Sequence, residues 1–464
     1  MDISELTATE IAALVRGGKT TARAVAEATL NRIETTEPRA NTFIHVDAAG
    51  ALAAAEALDA QRAAGEDPGP LAGVPVSVKD LVHVAGMPTS FGSRAFAGAP
   101  APEDAVPVAR LRAAGAILIG KTTTPEFGHK PITKSPLFGE TLNPWNPAYT
   151  SGGSSGGAAA SIAWRQVPLA VGTDGGGSIR IPAAVCGIFG LKATLGRIPH
   201  VHAGDLFANN SFIGPMARNL DDLALMYRVM AGSAPGDPWS KSLPGHDPVP
   251  QRPRIGWALT IGNKAIEQDV AAASEAAIAA LAGLGAEVSK VEIDFVSLEP
   301  HFRIILETLL AARSSKSVAE TPELFDPTFV RTVRNGEKRT GIDVQNAAGF
   351  RTSIYRRIER HFTEFDFLVT PTLAAAAIPA DTDPHADLEI AGVNCGPIRA
   401  AWYPYTLPFN LTGHPALSMP IGWDRNELPI GLQIVSRWHA EAGILDLAGR
   451  LHAALEIPDR VLSV

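Results

Sequence analysis

Apolar positions along this chain switch between two spacings, one helical and one of short β-branched runs. Near the N-terminus, "TATEIAALVRGG" sets Thr7 and Glu10 at capping-box spacing before an apolar stripe, with Gly17 and Gly18 as its stop. "TARAVAEATLNRIETTEP" carries apolar residues at helical spacing and predicts a helix that ends before Pro38. After "NTFIHV", the alanine-rich "AAGALAAAEALDAQRAAG" predicts a third helix, and "GVPVSVKD" a short strand with a polar end. Residues 103–120 predict a helix ending near Gly115 and then the strand "AILIG". "ASIAWRQ" predicts another helix, and "VPLAVGTD" and "CGIFGLK" two short apolar segments.

Helical patterns dominate residues 265–365, as in "QDVAAASEAAIAALAGLG" and "SIYRRIERHFTEF", and predict a helical insertion or cap over a sheet. Strand signals return in "FDFLVTPTL", "PALSMPIGW" and "PIGLQIVSR". This alternation predicts an α/β fold: a central mixed, largely parallel twisted sheet covered by helices on both faces. The proline-rich "SLPGHDPVPQRPR" predicts a surface loop, and no internal repeat or low-complexity tract interrupts the pattern. At 464 residues, two domains or one large α/β unit are both open on length.

Composition narrows the function classes. A net charge of -8 argues against a nucleic-acid surface, which needs a clustered basic face. Runs such as "RTVRNGEKR" mix signs and read as solvated helix faces. Two cysteines, Cys186 and Cys395, cannot build a disulfide framework, which places the chain in the cytoplasm. "MDISELTATE" lacks the basic start and apolar middle of a signal peptide. No stretch approaches the roughly 18 apolar residues that cross a membrane.

The candidate chemistry concentrates in "SGGSSGG" at 151–157 and in "GTDGGGSIR", where three glycines precede Ser178. Gly152 to Gly156 match G-x-S-x-G, but a nucleophile elbow needs a strand running into the serine, and "NPWNPAYT" supplies none. S-x-x-K, the dinucleotide glycine motif, H-E-x-x-H and C-x-x-C are all missing, and neither a metal nor a cofactor is expected. His439 and Glu441 form an isolated H-x-E that reads as a chance match on a helix.

Glycines before Ser178 allow backbone N–H groups to converge on one anion, as an oxyanion hole does. A tight glycine turn with an incidental serine is the other reading. Without a nearby histidine, a lysine kept neutral by burial can act as base. Lys79, at the end of "VPVSV", is the best placed by pattern. Lys121 and Lys192 end their strands in the same way, and pattern alone leaves the three open. A thiol nucleophile is a further reading, with Cys186 as buried packing and Cys395 as a loop residue near the substrate mouth.

Together "LAGVPVSVKD", "GKTTTPEFG", "LNPWNP", "GGSSGGAAA", "GTDGGGSIRIPAAVCGIFGLKAT", "FDFLVTPT", "PFNLTGHPALSMPIGW" and "GLQIVSRW" resemble the amidase signature family. The resemblance runs from about residue 7 to the C-terminus. It implies a single domain over 1–464, with a more variable, largely helical region at about 235–365. It also implies amide hydrolysis by a Ser–Ser–Lys triad. Ser178 is then the acylated nucleophile, Ser154 a bridging serine in a cis peptide after Gly153, and Lys79 the base. Backbone N–H groups of Gly175, Gly176, Gly177 and Ser178 would form the oxyanion hole, braced by Ser155, Asp174 and Arg180. Two positions depart from the family pattern: Gly175, where many relatives carry Thr or Ile, and Ile181, where the glutamine-hydrolysing component of the tRNA-dependent amidotransferase carries Gln.

The expected partner is a small-molecule amide, with no nucleic acid or membrane, and a homodimer as the default assembly. Phe127, Trp402, Tyr403 and Tyr405 are available to shape an acyl pocket, with the core as their alternative place. The competing functions are a non-catalytic binding protein on the same fold and the glutamine- or asparagine-hydrolysing component of an amidotransferase.

Overall fold

In the computed structural model, which describes residues 2–462 other than 97, 209, 242–248 and 459, Thr7 and Glu10 close a reciprocal capping box on helix Ala8–Arg16, and Gly17 caps its end. Helices Ala48–Ala63 and Val106–Ala113 form where the spacing places them. The helix expected on "ASIAWRQ" starts earlier, at Gly156, and stops at Ala163, with Trp164 as its cap and Arg165 at φ 55°. The helix expected to stop before Pro38 instead runs from Ala22 to Ala40. A proline there forfeits one backbone bond. Asn41 compensates in the left-handed conformation, returning its N–H to Glu37 O at 3.0 Å. Ala40 is buried with Ala160 and Trp164, so packing outweighs the local penalty.

Eleven strands among the described residues form one sheet. They are β1 (Phe43–Val46), β2 (Pro75–Lys79), β3 (Ile117–Thr122), β4 (Leu169–Asp174), β5 (Phe189–Lys192) and β6 (Phe212–Ala217). The rest are β7 (Arg254–Trp257), β8 (Glu287–Lys290), β9 (Phe367–Pro371), β10 (Ala416–Trp423) and β11 (Pro429–Ser436). Their spatial order is β1-β3-β2-β4-β6-β5-β10-β11-β9-β7-β8. The sheet is mixed: β2 runs parallel to β3 and β4, and β7 parallel to β8 and β9. Antiparallel pairs join the strands between these two flanks. Helices Arg180–Cys186 and Glu441–Leu455 both pack on β10 and β11. One buried apolar cluster extends from Ala8 to Leu451.

Strand β8 interrupts the region 265–365, where helical patterns dominate the sequence and predict a helical insertion or cap. Helix Gln268–Gly283 is the crossover that returns the chain from β7 to β8 as a parallel neighbour. Lying at the sheet edge with Glu287, Ser289 and Lys290 exposed, "EVSK" has little apolar pattern to reveal it. Helices Glu299–Glu320, Pro327–Gly336 and Gly341–Glu364 fill the remainder. Of the expected loop at 242–254, residues 242–248 lie outside the described residues, and Arg254 opens β7. His439 is not on a helix; it precedes helix Glu441–Leu455 with φ 69°. No described helix is long and apolar enough to cross a membrane.

The parallel strands β2, β3 and β4 end side by side, which brings Lys79, Thr122 and Asp174 to one edge of the sheet. Ligand sites in α/β sheets form where such strand ends meet.

Candidate active site

Each of the two serine segments connects sheet or loop to a short helix. Residues 151–155 lead into helix Gly156–Ala163 through a cis Gly153–Ser154 peptide bond. Residues 175–179 lead from β4 into helix Arg180–Cys186. Ser155 N–H donates to Ser178 O at 3.2 Å and ties the two segments together. Ser154 and Ser178 line the same large cavity.

Lys79 completes this cluster from the end of β2. Its Nζ lies 2.7 Å from Ser154 Oγ, 2.8 Å from Ser155 Oγ and 2.8 Å from Thr173 Oγ1. The amine is fully buried, and its immediate partners are hydroxyls, with the Thr173 carbonyl more distant at 3.5 Å. Burial holds its pKa well below that of an ordinary lysine, and the Asp174 carboxylate opposes this only in part. Ser155 Oγ also donates to Thr173 O at 3.1 Å, which fixes its hydroxyl beside the amine. Thr173 escapes the sequence reading. Its only signal is its place directly before Asp174 in "GTDGGG".

Asp174 and Arg180 form the brace beneath the glycine loop. Arg180 Nε reaches Asp174 Oδ2 at 2.9 Å and Nη2 reaches Oδ1 at 3.0 Å, both side chains being fully buried. Burial would raise the Asp174 carboxyl, but Arg180 and Asn410 hold it well below the usual carboxylate range. Arg180 also bonds Asn410 Oδ1 at 2.6 Å and Gln433 Oε1 at 2.7 Å. Thr406 Oγ1 donates to Gly176 O at 2.7 Å. Asn410 and Gln433 belong to the segments "PFNLTGHPALSMPIGW" and "GLQIVSRW", so their presence is legible in the sequence but their attachment to this loop is not.

One expected oxyanion donor is engaged elsewhere. Gly177 N–H donates to Asp174 Oδ1 at 2.7 Å, which takes it out of the anion nest. The N–H groups of Gly175, Gly176 and Ser178 make no such bond to other described residues, and all three residues line the cavities around Ser178. At Gly177 φ is 120°, and an added Cβ would meet Thr406 Oγ1 at 2.4 Å. At Gly175 it would meet nothing within 4 Å.

The other lysines are placed differently. Lys121 pairs with Asp80 at 3.2 Å and bonds Thr89 Oγ1 at 2.9 Å. Lys192 sits 3.9 Å from the Phe212 ring centroid and donates to Ala193 O at 3.2 Å. Cys186 is fully buried, and burial pushes its thiol pKa up, opposite to what a nucleophile needs. Cys395 is not at the substrate mouth; it is buried in a two-stranded ribbon of residues 387–390 and 393–397 and lines neither cavity.

Two cavities meet at Ser178. The larger, about 660 Å³, is walled by Leu81, Phe91 and Phe127 and by residues of helices Glu299–Glu320 and Gly341–Glu364. The smaller, about 50 Å³, lies between the 128–131 segment and Arg399 and Tyr403. Of the four candidate aromatics, Phe127 thus faces the large cavity and Tyr403 the small one. Trp402 and Tyr405 are fully buried and line neither. Among the described residues no cluster of His, Cys, Asp and Glu is arranged to hold a metal ion.

A search of protein families matches the model described as Amidase over residues 24–445. The chain is 34% identical over 470 residues to an acylamidase of Rhodococcus erythropolis, covering 98% of this chain and 96% of that one. It is 35% identical over 500 residues to a glutamyl-tRNA(Gln) amidotransferase component of Salinispora arenicola (strain CNS-205), covering 98% of each. Among solved structures, a bacterial aryl acylamidase of the amidase signature family aligns with a TM-score of 0.90 at 27% identity, over 97% of this chain and 96% of that one. A 6-aminohexanoate cyclic dimer hydrolase complexed with substrate aligns at 0.87 and 30% identity, over 100% and 99%. With the sheet, the serine segments and the buried lysine in place, the chain belongs to the amidase signature family.

Proposed function

We propose that the protein hydrolyses a carboxylic amide through an acyl-enzyme on Ser178, with Ser154 and Lys79 as the proton relay. The observation that carries this is the buried Lys79 amine, 2.7 Å from Ser154 Oγ, with hydroxyls rather than a carboxylate as its close partners. A neutral amine there draws the Ser154 proton as Ser154 draws that of Ser178. Ser178 Oγ attacks the amide carbonyl, and the N–H groups of Gly175, Gly176 and Ser178 face the oxygen that becomes negative. Protons then return through Ser154 to the departing nitrogen, and water repeats the sequence on the ester.

Because Lys79 must be neutral, kcat/KM is expected to rise with pH through its lowered pKa and then level off. A flat profile with chemistry rate-limiting would overturn the assignment. Lys79→Ala and Ser178→Ala should each lower kcat by about 10³-fold or more, with Ser154→Ala also severe. Near-normal turnover in Ser178→Ala would exclude it as nucleophile. This reading has the enzyme acting in the cytoplasm on a small-molecule amide, without nucleic acid or membrane, with a homodimer as the assembly to test by light scattering.

The likeness to an amidotransferase component supports a second reading, release of ammonia from glutamine or asparagine for a partner enzyme. Ile181 in place of the Gln expected in that component favours the stand-alone amidase. Turnover of simple amides by the isolated chain separates the two.

A further inference from the structure

We propose that Arg399 makes the small pocket beside Ser178 a carboxylate receptor, so that the preferred substrates are N-aryl monoamides of short dicarboxylic acids. This rests on the amidase reading and gives that site its substrate class.

Arg399 lines the small pocket and is only 9% exposed. Among the described residues it makes no ion pair, and its one hydrogen bond is a long one to His129 O at 3.4 Å. Lys130, which lines the same pocket, is paired with Asp326 at 2.6 Å, and Glu299, whose charge also reaches Tyr403, is paired with Arg303 at 3.5 Å. A buried cation without a counter-charge is costly, and a guanidinium presents its donors as a fork that fits a carboxylate. Tyr403, four residues on, lines the same pocket with its hydroxyl bonded to no other described residue. At about 50 Å³ the pocket has room for a few heavy atoms.

The relay sets which half of the substrate enters. Ser154 lines the large cavity and not the small one. The nitrogen that receives its proton therefore departs into the large cavity, whose walls include Leu81, Phe91 and Phe127. The acyl chain is left to point into the small pocket, toward Arg399. In the reaction the amide C–N bond breaks as the Ser178 Oγ–carbon bond forms, and Ser154 supplies the amine's proton. Water then splits the ester and releases the dicarboxylic acid.

Steady-state kinetics on succinic acid monoanilide and on neutral butyranilide test this, with wild type, Arg399→Gln and Arg399→Lys. Wild type should favour the charged anilide by about 10- to 100-fold in kcat/KM, the range of a charge-assisted pair. Arg399→Gln should lose that preference mainly through KM while still cleaving butyranilide, and Arg399→Lys should keep part of it. In parallel, succinate should raise the Tm of wild type and not that of Arg399→Gln, with butyramide inert for both. Equal use of the two anilides by wild type, a preference surviving in Arg399→Gln, or no response of wild-type Tm to succinate would each overturn the proposal. If neither anilide is cleaved but succinate still stabilises through Arg399, the anion site stands and amide hydrolysis falls. Should Arg399→Gln not fold, Arg399→Lys and the wild-type titration decide.

Discussion

Lys79 and Lys121 look alike in the sequence, each closing a short apolar strand, and both are fully buried. Their neighbours make them different. Lys121 faces the Asp80 carboxylate, which favours the ammonium, whereas Lys79 faces three hydroxyls, which do not. The same contrast separates two glycines of the loop. Gly177 has φ 120° and no room for a Cβ, while Gly175 has open space. Gly177→Ala should cost on the order of 1–3 kcal/mol of stability and, by moving the donors, most of kcat. Gly175→Ala should change Tm little. Thermal melts with single-turnover kinetics check both. An equal, small effect from the two substitutions would show that the loop is not held as described.

At the scale of elements, helix Leu407–Thr412 pins the glycine loop before Ser178 from a distant part of the chain. Asn410 Nδ2 donates to Asp174 O at 2.8 Å and to Asp174 Oδ1 at 2.9 Å, while its Oδ1 accepts from Arg180. Asn410→Ala would leave buried polar atoms without partners, at about 1–3 kcal/mol. Its Tm should fall, and kcat should fall with KM little changed. A normal kcat at temperatures where the variant is folded would remove Asn410 from loop positioning. Most elements are readable because strands and helices here carry their own apolar period and caps. Pro38 and β8 mislead for opposite reasons: packing of Ala40 carries one helix past a local breaker, and an exposed edge strand has little pattern to read.

Across the whole molecule, a buried polar contact joins the loop at 126–130 to helix Pro327–Gly336. Asp326 N–H donates to Glu126 Oε2 at 2.6 Å, Lys130 pairs with Asp326, and His129 Nε2 lies 2.8 Å from Thr328 Oγ1. Burial raises the Glu126 pKa from its ordinary 4.5 to about 7, against the hydrogen bond from Asp326. A carboxyl whose folded pKa is raised stabilises the fold below its unfolded value, and that stability drains away as pH rises through the folded one. Wild type should therefore lose stability relative to Glu126→Gln between about pH 5 and about pH 8. A Tm difference between the two that stays constant over that range would show that Glu126 titrates normally. What the sequence alone determined was whatever depends on neighbours in the chain: helices and strands with their caps, the glycine-cradled serines, and the short list of lysines able to serve as base. Which lysine lies beside Ser154, where the Gly177 N–H points, and that Arg399 is left without a counter-charge were decided only by tertiary structure. Those facts depend on groups far apart along the chain being buried together, and burial sets both the charge state of an amine and the cost of an unmatched cation.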